Sequence, residues 1–189
     1  MTALRFENVA CMRGGRLLFE GVSFALAAGE AAIVTGPNGT GKSSLIRIAA
    51  GLLDVAAGRV QRDGVVALAD ENTALDRDLP LGGALDFWTR LDGSGRLDAA
   101  MDTMGLEHLA PVPVRMLSTG QRKRAALARV VASRASVWLL DEPINGLDAE
   151  SVRRLELACD EHRAGGGVVL AATHLAFGLQ GALRVPLAP

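Results

Sequence analysis

Apolar and polar residues alternate at the start of the chain, with Leu4 and Phe6 leading on to Val9, and again across Val22–Ala27. A period of two turns one face of an extended segment toward a core, so both stretches read as strands. After the turn Ala28-Gly29-Glu30, the run Ala31-Ala32-Ile33-Val34 is continuously apolar, as in a strand covered on both faces. Val137–Leu140 and Val168–Ala172 have the same character. Val60 and Val65–Leu68 are strand candidates around Arg62-Asp63-Gly64, and Val185–Leu187 is a last short one.

The spacing becomes helical over Ser44–Leu53, where Leu45, Ile48, Ala49 and Leu52 share a side. It does so again from Ala84 through Leu85, Trp88 and Leu91, then Leu97, Met101 and Met104, and later over Gly120–Ala132 and Ala149–Arg163. Asp70–Gly83 is polar and carries Pro80, which predicts a loop, and Pro111 and Pro113 interrupt the helical stretch. Strands alternating with helices predict an α/β fold around a parallel core. The stretch 83–134 reads as a helical lobe inserted into one domain spanning residues 1–189.

Composition narrows the class. The chain is 49% apolar but only 4% aromatic, so its core must be built from Ala, Val, Leu and Ile. Twenty basic against 21 acidic residues leave a net charge of -1, which speaks against nucleic acid as a partner. Cys11 and Cys159 lie far apart and read as small buried residues, not as a disulfide or metal pair. Met1–Ala10 lacks a basic start followed by an apolar stretch, and no apolar run is long enough to cross a bilayer. The expectation is a soluble chain that others would hold at any membrane it serves.

Gly36-Pro37-Asn38-Gly39-Thr40-Gly41-Lys42-Ser43 satisfies GxxxxGK[ST] between a strand and a helix. Glycines let backbone N–H groups turn inward around an anion, and the helix that follows presents its unpaired N–H groups and positive dipole end. Lys42 would reach the β- and γ-phosphates, Ser43 would ligate Mg2+, and Ser44 would add a phosphate contact. Such a pattern arises by chance in roughly one chain in a hundred of this size at average residue usage. The flanking strand and helix lower that further, so the pattern predicts nucleotide binding without choosing among kinases, GTPases and ATPases. Val137–Leu140 then ends in Asp141-Glu142-Pro143. Asp141 can hold Mg2+ through water beside the phosphate loop, and Glu142 can act as general base on the attacking water.

Leu117-Ser118-Thr119-Gly120-Gln121 ahead of a helix resembles the LSGGQ signature of ABC ATPases, with Thr119 in place of the first glycine. The order of phosphate loop, signature, Leu139-Leu140-Asp141-Glu142-Pro143, Gly146-Leu147-Asp148 and Thr173-His174 follows that family over nearly the whole chain. The resemblance implies a P-loop NTPase of the ABC type, with a mixed core sheet, an inserted helical lobe and an N-terminal antiparallel β portion. It implies ATP and Mg2+ as ligands and a head-to-tail homodimer in the ATP-bound state. Each ATP would lie between one subunit's phosphate loop and the other's Ser118, Thr119, Gly120 and Gln121, with Asp148 coupling the two sites. His174 takes the place of the family's switch histidine beside Glu142, whereas His108 and His162 read as structural or exposed.

Two positions depart from the family pattern. The chain has no Tyr to stack on adenine; Arg13 occupies the matching stretch, as a guanidinium plane that stacks on the base or as a solvated surface arginine. The family's metal-contacting Gln after the fifth strand is replaced by Glu71, which is expected to keep an oxygen on Mg2+. Within the family the chain resembles the ATP-binding subunits of the haem exporter of cytochrome c maturation. The residues that carry this are Cys11-x-Arg13-x-x-Arg16, Leu127-Ala128-Arg129, Ser136-x-Trp138 before the acidic pair, and the short stretch after His174. That resemblance implies a cytoplasmic protein, peripheral on the inner membrane through integral membrane subunits, with no regulatory domain after His174. Alternatives are a subunit of another small-cargo exporter, a nucleotide-gated regulatory module with little turnover, and a small-molecule phosphotransferase. The run Arg122-Lys123-Arg124 reads as a solvated helix face rather than a lipid site.

Overall fold

The computed structural model describes residues 2–187. The alternating N-terminal segments form two long strands, β1 (Thr2–Arg13) and β2 (Arg16–Ala27), joined through Gly14-Gly15. Both glycines have positive φ, 55° and 78°, as a two-residue hairpin turn requires. Strand β4 (Ala57–Arg62) pairs with the other edge of β1, which gives an antiparallel sheet of order β2-β1-β4. Phe6 and Phe24 stack across it with ring centroids 4.5 Å apart.

The second sheet has the order β5-β6-β7-β3-β8 and is parallel throughout, from β3 (Ala31–Thr35), β5 (Val66–Ala69), β6 (Val137–Asp141), β7 (Val168–Ala172) and β8 (Leu183–Pro186). The mixed core sheet expected from the resemblance is thus two sheets, one antiparallel and one parallel. The reason is connectivity. A two-residue turn can join only antiparallel neighbours, whereas β6 and β7 are reached through helices, which bring the chain back to start again at the same end.

Every residue of β6 and β7 is buried, and their neighbours divide by parity. Trp138, Leu140, Val169 and Ala171 join Ala31 and Ile33 in a core beneath helices α2 (Leu81–Leu91), α3 (Leu97–Thr103), α4 (Thr119–Ala132) and α5 (Ala149–Ala164). Val137, Leu139, Val168 and Leu170 join Ala32 and Val34 in another, shared with α1 (Lys42–Ala50) and the inner face of the antiparallel sheet. Burial on both faces is why these strands read as unbroken apolar runs.

Helix α2 begins at Leu81, earlier than the Pro80-Gly82-Gly83 composition suggests, because the N–H groups of Leu81 and Gly82 donate to the carbonyls of Val112 and Ala110. Tertiary partners here outweigh two glycines' poor helix propensity. Arginines stitch the elements together at carbonyl ends: Arg62 at Ile48 and Ala49, Arg124 at Met104 and Gly105, and Arg163 at Gly29 and Gln180. Each meets the surplus of unpaired carbonyls where a helix or turn ends. Arg129 donates to Leu68 at 2.6 Å and lies 4.8 Å over the Trp88 ring, joining α2 and α4 to β5.

Candidate nucleotide site

Strand β3 delivers the chain into residues 36–41, and α1 starts at Lys42. Gly36 and Gly41 have φ of 147° and 98°. A Cβ on Gly36 would lie 2.5 Å from the Leu187 carbonyl oxygen, and one on Gly41 would lie 2.9 Å from the Phe19 ring. Only glycine fits either place, so the loop's curvature is built in before any ligand arrives. Thr40 Oγ1 donates to the Pro37 carbonyl at 2.9 Å and clasps the loop, while Pro37, Asn38 and Gly39 are exposed at its crest. The start of α1 has no acidic residue and no side-chain cap, which leaves its N–H groups for an anion. Lys42, buried, donates to the Gly36 and Pro37 carbonyls at 2.9 and 3.2 Å. Ser44 stands near Cys11, whose thiol is pushed up by burial, the Ser44 side chain opposing the shift.

Strand β6 carries Asp141 to the edge of this loop, where its Oδ1 accepts from Ser43 Oγ at 3.0 Å. Burial raises the Asp141 carboxyl above the usual range, and the Ser43 hydroxyl opposes the shift. The next residue leaves the strand in a left-handed conformation: Glu142 has φ of 45°, held by its N–H donating to the Ala172 carbonyl at 2.8 Å. Its carboxylate then lies between two cationic or donor groups, 3.9 Å from Lys42 Nζ and 3.0 Å from His174 Nδ1. His174 is placed by the extension of β7, since the Thr173 N–H donates to the Val34 carbonyl. The sequence-predicted Lys42, Ser43, Asp141, Glu142 and His174 therefore meet at one end of the parallel sheet, beyond the carboxyl ends of its strands.

The signature segment starts α4. Ser118 is the N-cap, its Oγ accepting from the Gln121 N–H at 3.2 Å, and Gln121 Oε1 accepting from the Ser118 N–H at 2.8 Å. This is a capping box, and it occupies the Gln121 side chain within its own helix. The first turn of α4 presents two faces. Ser118, Gly120 and Gln121 line a cleft of about 300 Å³ with Gly146, Leu147 and Asp148. Thr119 points elsewhere, into a cleft of about 390 Å³ that also contains Ser43, Glu71, Asp141 and Glu142. Asp148 caps α5 by accepting from the Ser151 N–H at 2.8 Å, which lowers its carboxyl below the usual range.

The family model for ABC transporters matches residues 19–145. The chain belongs to the ABC transporter family. It is 58% identical over 178 residues to the cytochrome c biogenesis ATP-binding export protein CcmA of Sphingopyxis alaskensis, covering 93% of this chain and 92% of that protein. It is 55% identical to the protein of the same name from Zymomonas mobilis, covering 90% of this chain and 78% of the relative. Among solved structures, an ATP-binding cassette captured as a dimer after hydrolysis, with ADP and Pi, superposes with a TM-score of 0.80 at 20% identity. That match covers 91% of this chain and 88% of that one, and it speaks for the ABC fold alone. The chain is thus an ATP-binding ABC protein of the cytochrome c biogenesis export group.

Against that family's pattern, the two departures fall differently. Glu71 is exposed, lines the same cleft as Ser43 and Asp141, and pairs with Arg47 at 3.4 Å. Its charge is therefore shared with a cation on α1. Arg13 lies exposed at the tip of the β1–β2 hairpin, across from Arg16, so both readings of it survive. Of the two histidines expected to be structural or exposed, His108 is exposed, and His162 stacks on Trp138 with centroids 3.9 Å apart and planes 7° from parallel. Among the described residues no helix is long and apolar enough to cross a membrane.

One expectation is overturned. Arg122-Lys123-Arg124 is not a solvated face. All three are half-buried and donate to backbone carbonyls, Arg122 to Leu117, Lys123 to Asp141 at 3.2 Å and Arg124 to Met104 and Gly105. A run of like charges looks solvated in sequence because the acceptors that bury it are carbonyls, which every residue carries. Sequence reasoning also missed the left-handed Glu142, since the Pro143 that follows favours an extended residue before it.

Proposed function

We propose that the chain is the ATP-hydrolysing subunit of an export complex serving cytochrome c biogenesis, with haem as the cargo whose movement it energises. It would act as a head-to-tail dimer and sit peripherally on the cytoplasmic side of the inner membrane, attached to integral membrane subunits. The observation that carries hydrolysis is the Glu142 carboxylate, aimed by a left-handed backbone between Lys42 and His174, next to the Ser43–Asp141 pair.

The phosphates of ATP would take the N–H groups of residues 38–43, at the crest of the loop and the start of α1. Lys42 would exchange the carbonyls of Gly36 and Pro37 for the β- and γ-phosphates. Ser43 Oγ and Asp141 Oδ1 are hard oxygens on one side of that loop and fit an Mg2+ ion that keeps phosphate and water as its other ligands, Asp141 through water and Glu71 within reach of the same cleft. The ion, when bound, neutralises charge building on the γ-phosphate. Glu142 would take the proton of the attacking water, and His174 would hold the carboxylate in place from the other side. Ser118, Gly120 and Gln121, gathered with Asp148 in a separate cleft, support a second half-site offered to a partner's ATP. Thr119 is turned from that cleft and does not share its geometry.

Glu142→Gln tests the reading. Removing the base while keeping the shape should lower turnover at least 100-fold, on the scale of general-base catalysis, and leave an ATP-bound dimer in gel filtration. Near-normal turnover, or a chain that stays monomeric with ATP, would overturn it. Normal dimerisation with negligible wild-type turnover would favour a nucleotide-gated regulatory module.

A further inference from the structure

We propose that Lys123 is a positioning residue that couples the metal side of a subunit's own nucleotide site to the half-site the same subunit offers its partner. The inference rests on the dimer reading above and adds to it a route within one chain.

The route is visible in how α4 is anchored. Of its three consecutive cations, Arg122 and Arg124 are spent on carbonyls of the helical side, at Leu117 and at Met104 and Gly105. Lys123 alone reaches across to β6, donating to the main-chain carbonyl of Asp141, the residue whose side chain is hydrogen-bonded to Ser43. Its ammonium faces four carboxylates, those of Asp141, Asp70, Glu142 and Glu71, which oppose the cost of its burial. It lines the cleft that holds Ser43 and Asp141.

Lys123 lies five residues after Ser118, about 7.5 Å along the helix axis at 1.5 Å per residue. The capping box makes that first turn a stiff piece, and Gly120 approaches the Gly146 carbonyl closely enough that a Cβ there would lie 3.0 Å away. A displacement at Lys123 is therefore delivered to Ser118, Gly120 and the Asp148 cleft, with little slack to absorb it. A divalent cation held by Ser43 and Asp141 would compete with the ammonium for the same carboxylates, because like charges sharing one acidic cluster repel. Filling the metal position thus pushes the ammonium, and α4 with it, while Lys123 stays tied to β6; removing the ammonium should favour the metal but leave its arrival undelivered to the half-site.

The test uses the full chain carrying Glu142→Gln, with Mg2+ titrated at saturating ATP. Binding is read with a fluorescent ATP analogue and dimerisation by sedimentation. Lys123→Gln keeps a donor for the Asp141 carbonyl but removes the charge. It should lower the Mg2+ midpoint for nucleotide binding at least threefold and raise the dimer dissociation constant at saturating Mg2+ and ATP at least threefold. Lys123→Arg should restore both. Asp70→Asn, which keeps the acceptor for the Asn72 N–H, should weaken the dimer in the same direction by a smaller factor, and it stands in if Lys123→Gln does not fold. Midpoints for Lys123→Gln within twofold of the parent overturn the proposal, as does Lys123→Arg failing in the same way as Lys123→Gln, or no change in Asp70→Asn. A parent that stays monomeric with ATP removes the dimer reading itself; a dimerising parent with an unchanged Lys123→Gln removes only the role of Lys123.

Discussion

Glu142 should limit the stability of the fold while serving its chemistry. Its φ of 45° places a Cβ-bearing residue in the left-handed region, which costs a non-glycine residue about 1–2 kcal/mol. Glycine in its place relieves that strain but adds freedom to the unfolded chain, a loss of about 0.5–1 kcal/mol. The side chain's partners, Lys42 at 3.9 Å and His174 at 3.0 Å, are lost in Glu142→Gly. They are lost equally in Glu142→Ala, which keeps the strain, so the pair isolates the backbone. Glu142→Gly should be the more stable by about 0.5–1 kcal/mol, the difference between the two terms. For a domain of this size that is a rise in Tm of roughly 1–4 °C. The assay is a calorimetric melt of both variants without nucleotide, with ATP turnover measured in parallel; both should be nearly inactive. If Glu142→Gly melts at or below Glu142→Ala, the left-handed backbone stores no strain and the reasoning fails. If it melts higher, the cost resides in holding a carboxylate where the attacking water needs it, as strained residues at functional sites do.

Two further expectations concern the loop and the core. Gly41→Ala would push a methyl into the Phe19 ring, 2.9 Å away and itself buried, at a φ of 98°; distortion of about 2–3 kcal/mol should weaken ATP binding roughly 30- to 150-fold in a filter or calorimetric assay, and an unchanged affinity would mean the loop is not pre-shaped. His162 is held below its ordinary pKa of 6.5, chiefly by burial against Trp138, so the unfolded chain binds a proton that the folded one resists. Its contribution to stability is whole above pH 6.5 and declines as pH falls through that value. A His162→Phe variant, keeping the stack, should therefore lose less Tm than wild type between pH 7.5 and pH 5.5 (roughly one unit either side of the ordinary histidine value); equal losses would show that His162 does not set the acid sensitivity.

Much of the site was legible in the sequence because its parts are local. A phosphate loop works through backbone N–H groups of a short consecutive run, so glycine spacing reports its conformation directly, and Gly36 and Gly41 prove to lie where a Cβ would strike Leu187 and Phe19. Asp141 and Glu142 were legible for the same reason, since a strand buried on both faces tolerates charge only at its end, where Asp141 finds the Ser43 hydroxyl. The parallel strands were readable from their unbroken apolar runs and the N-terminal strands from their alternation, whereas the Gly14-Gly15 turn that pairs them emerges only in the structure.

What tertiary structure alone decided are relations between segments with no sequence period in common. That His174 reaches Glu142 depends on β7 lying beside β6, a pairing of residues 32 positions apart. The left-handed turn at Glu142 is held by the Ala172 carbonyl, and the Lys123 ammonium is buried against the carbonyl of Asp141. Each of these acceptors is main chain, identical at every residue, and therefore silent in the sequence. The same is true of α4, whose signature residues looked like one unit in a row. A helix turns about 100° per residue, so the fold sends Thr119 toward the chain's own acidic cleft while Ser118, Gly120 and Gln121 join Asp148 on the other side.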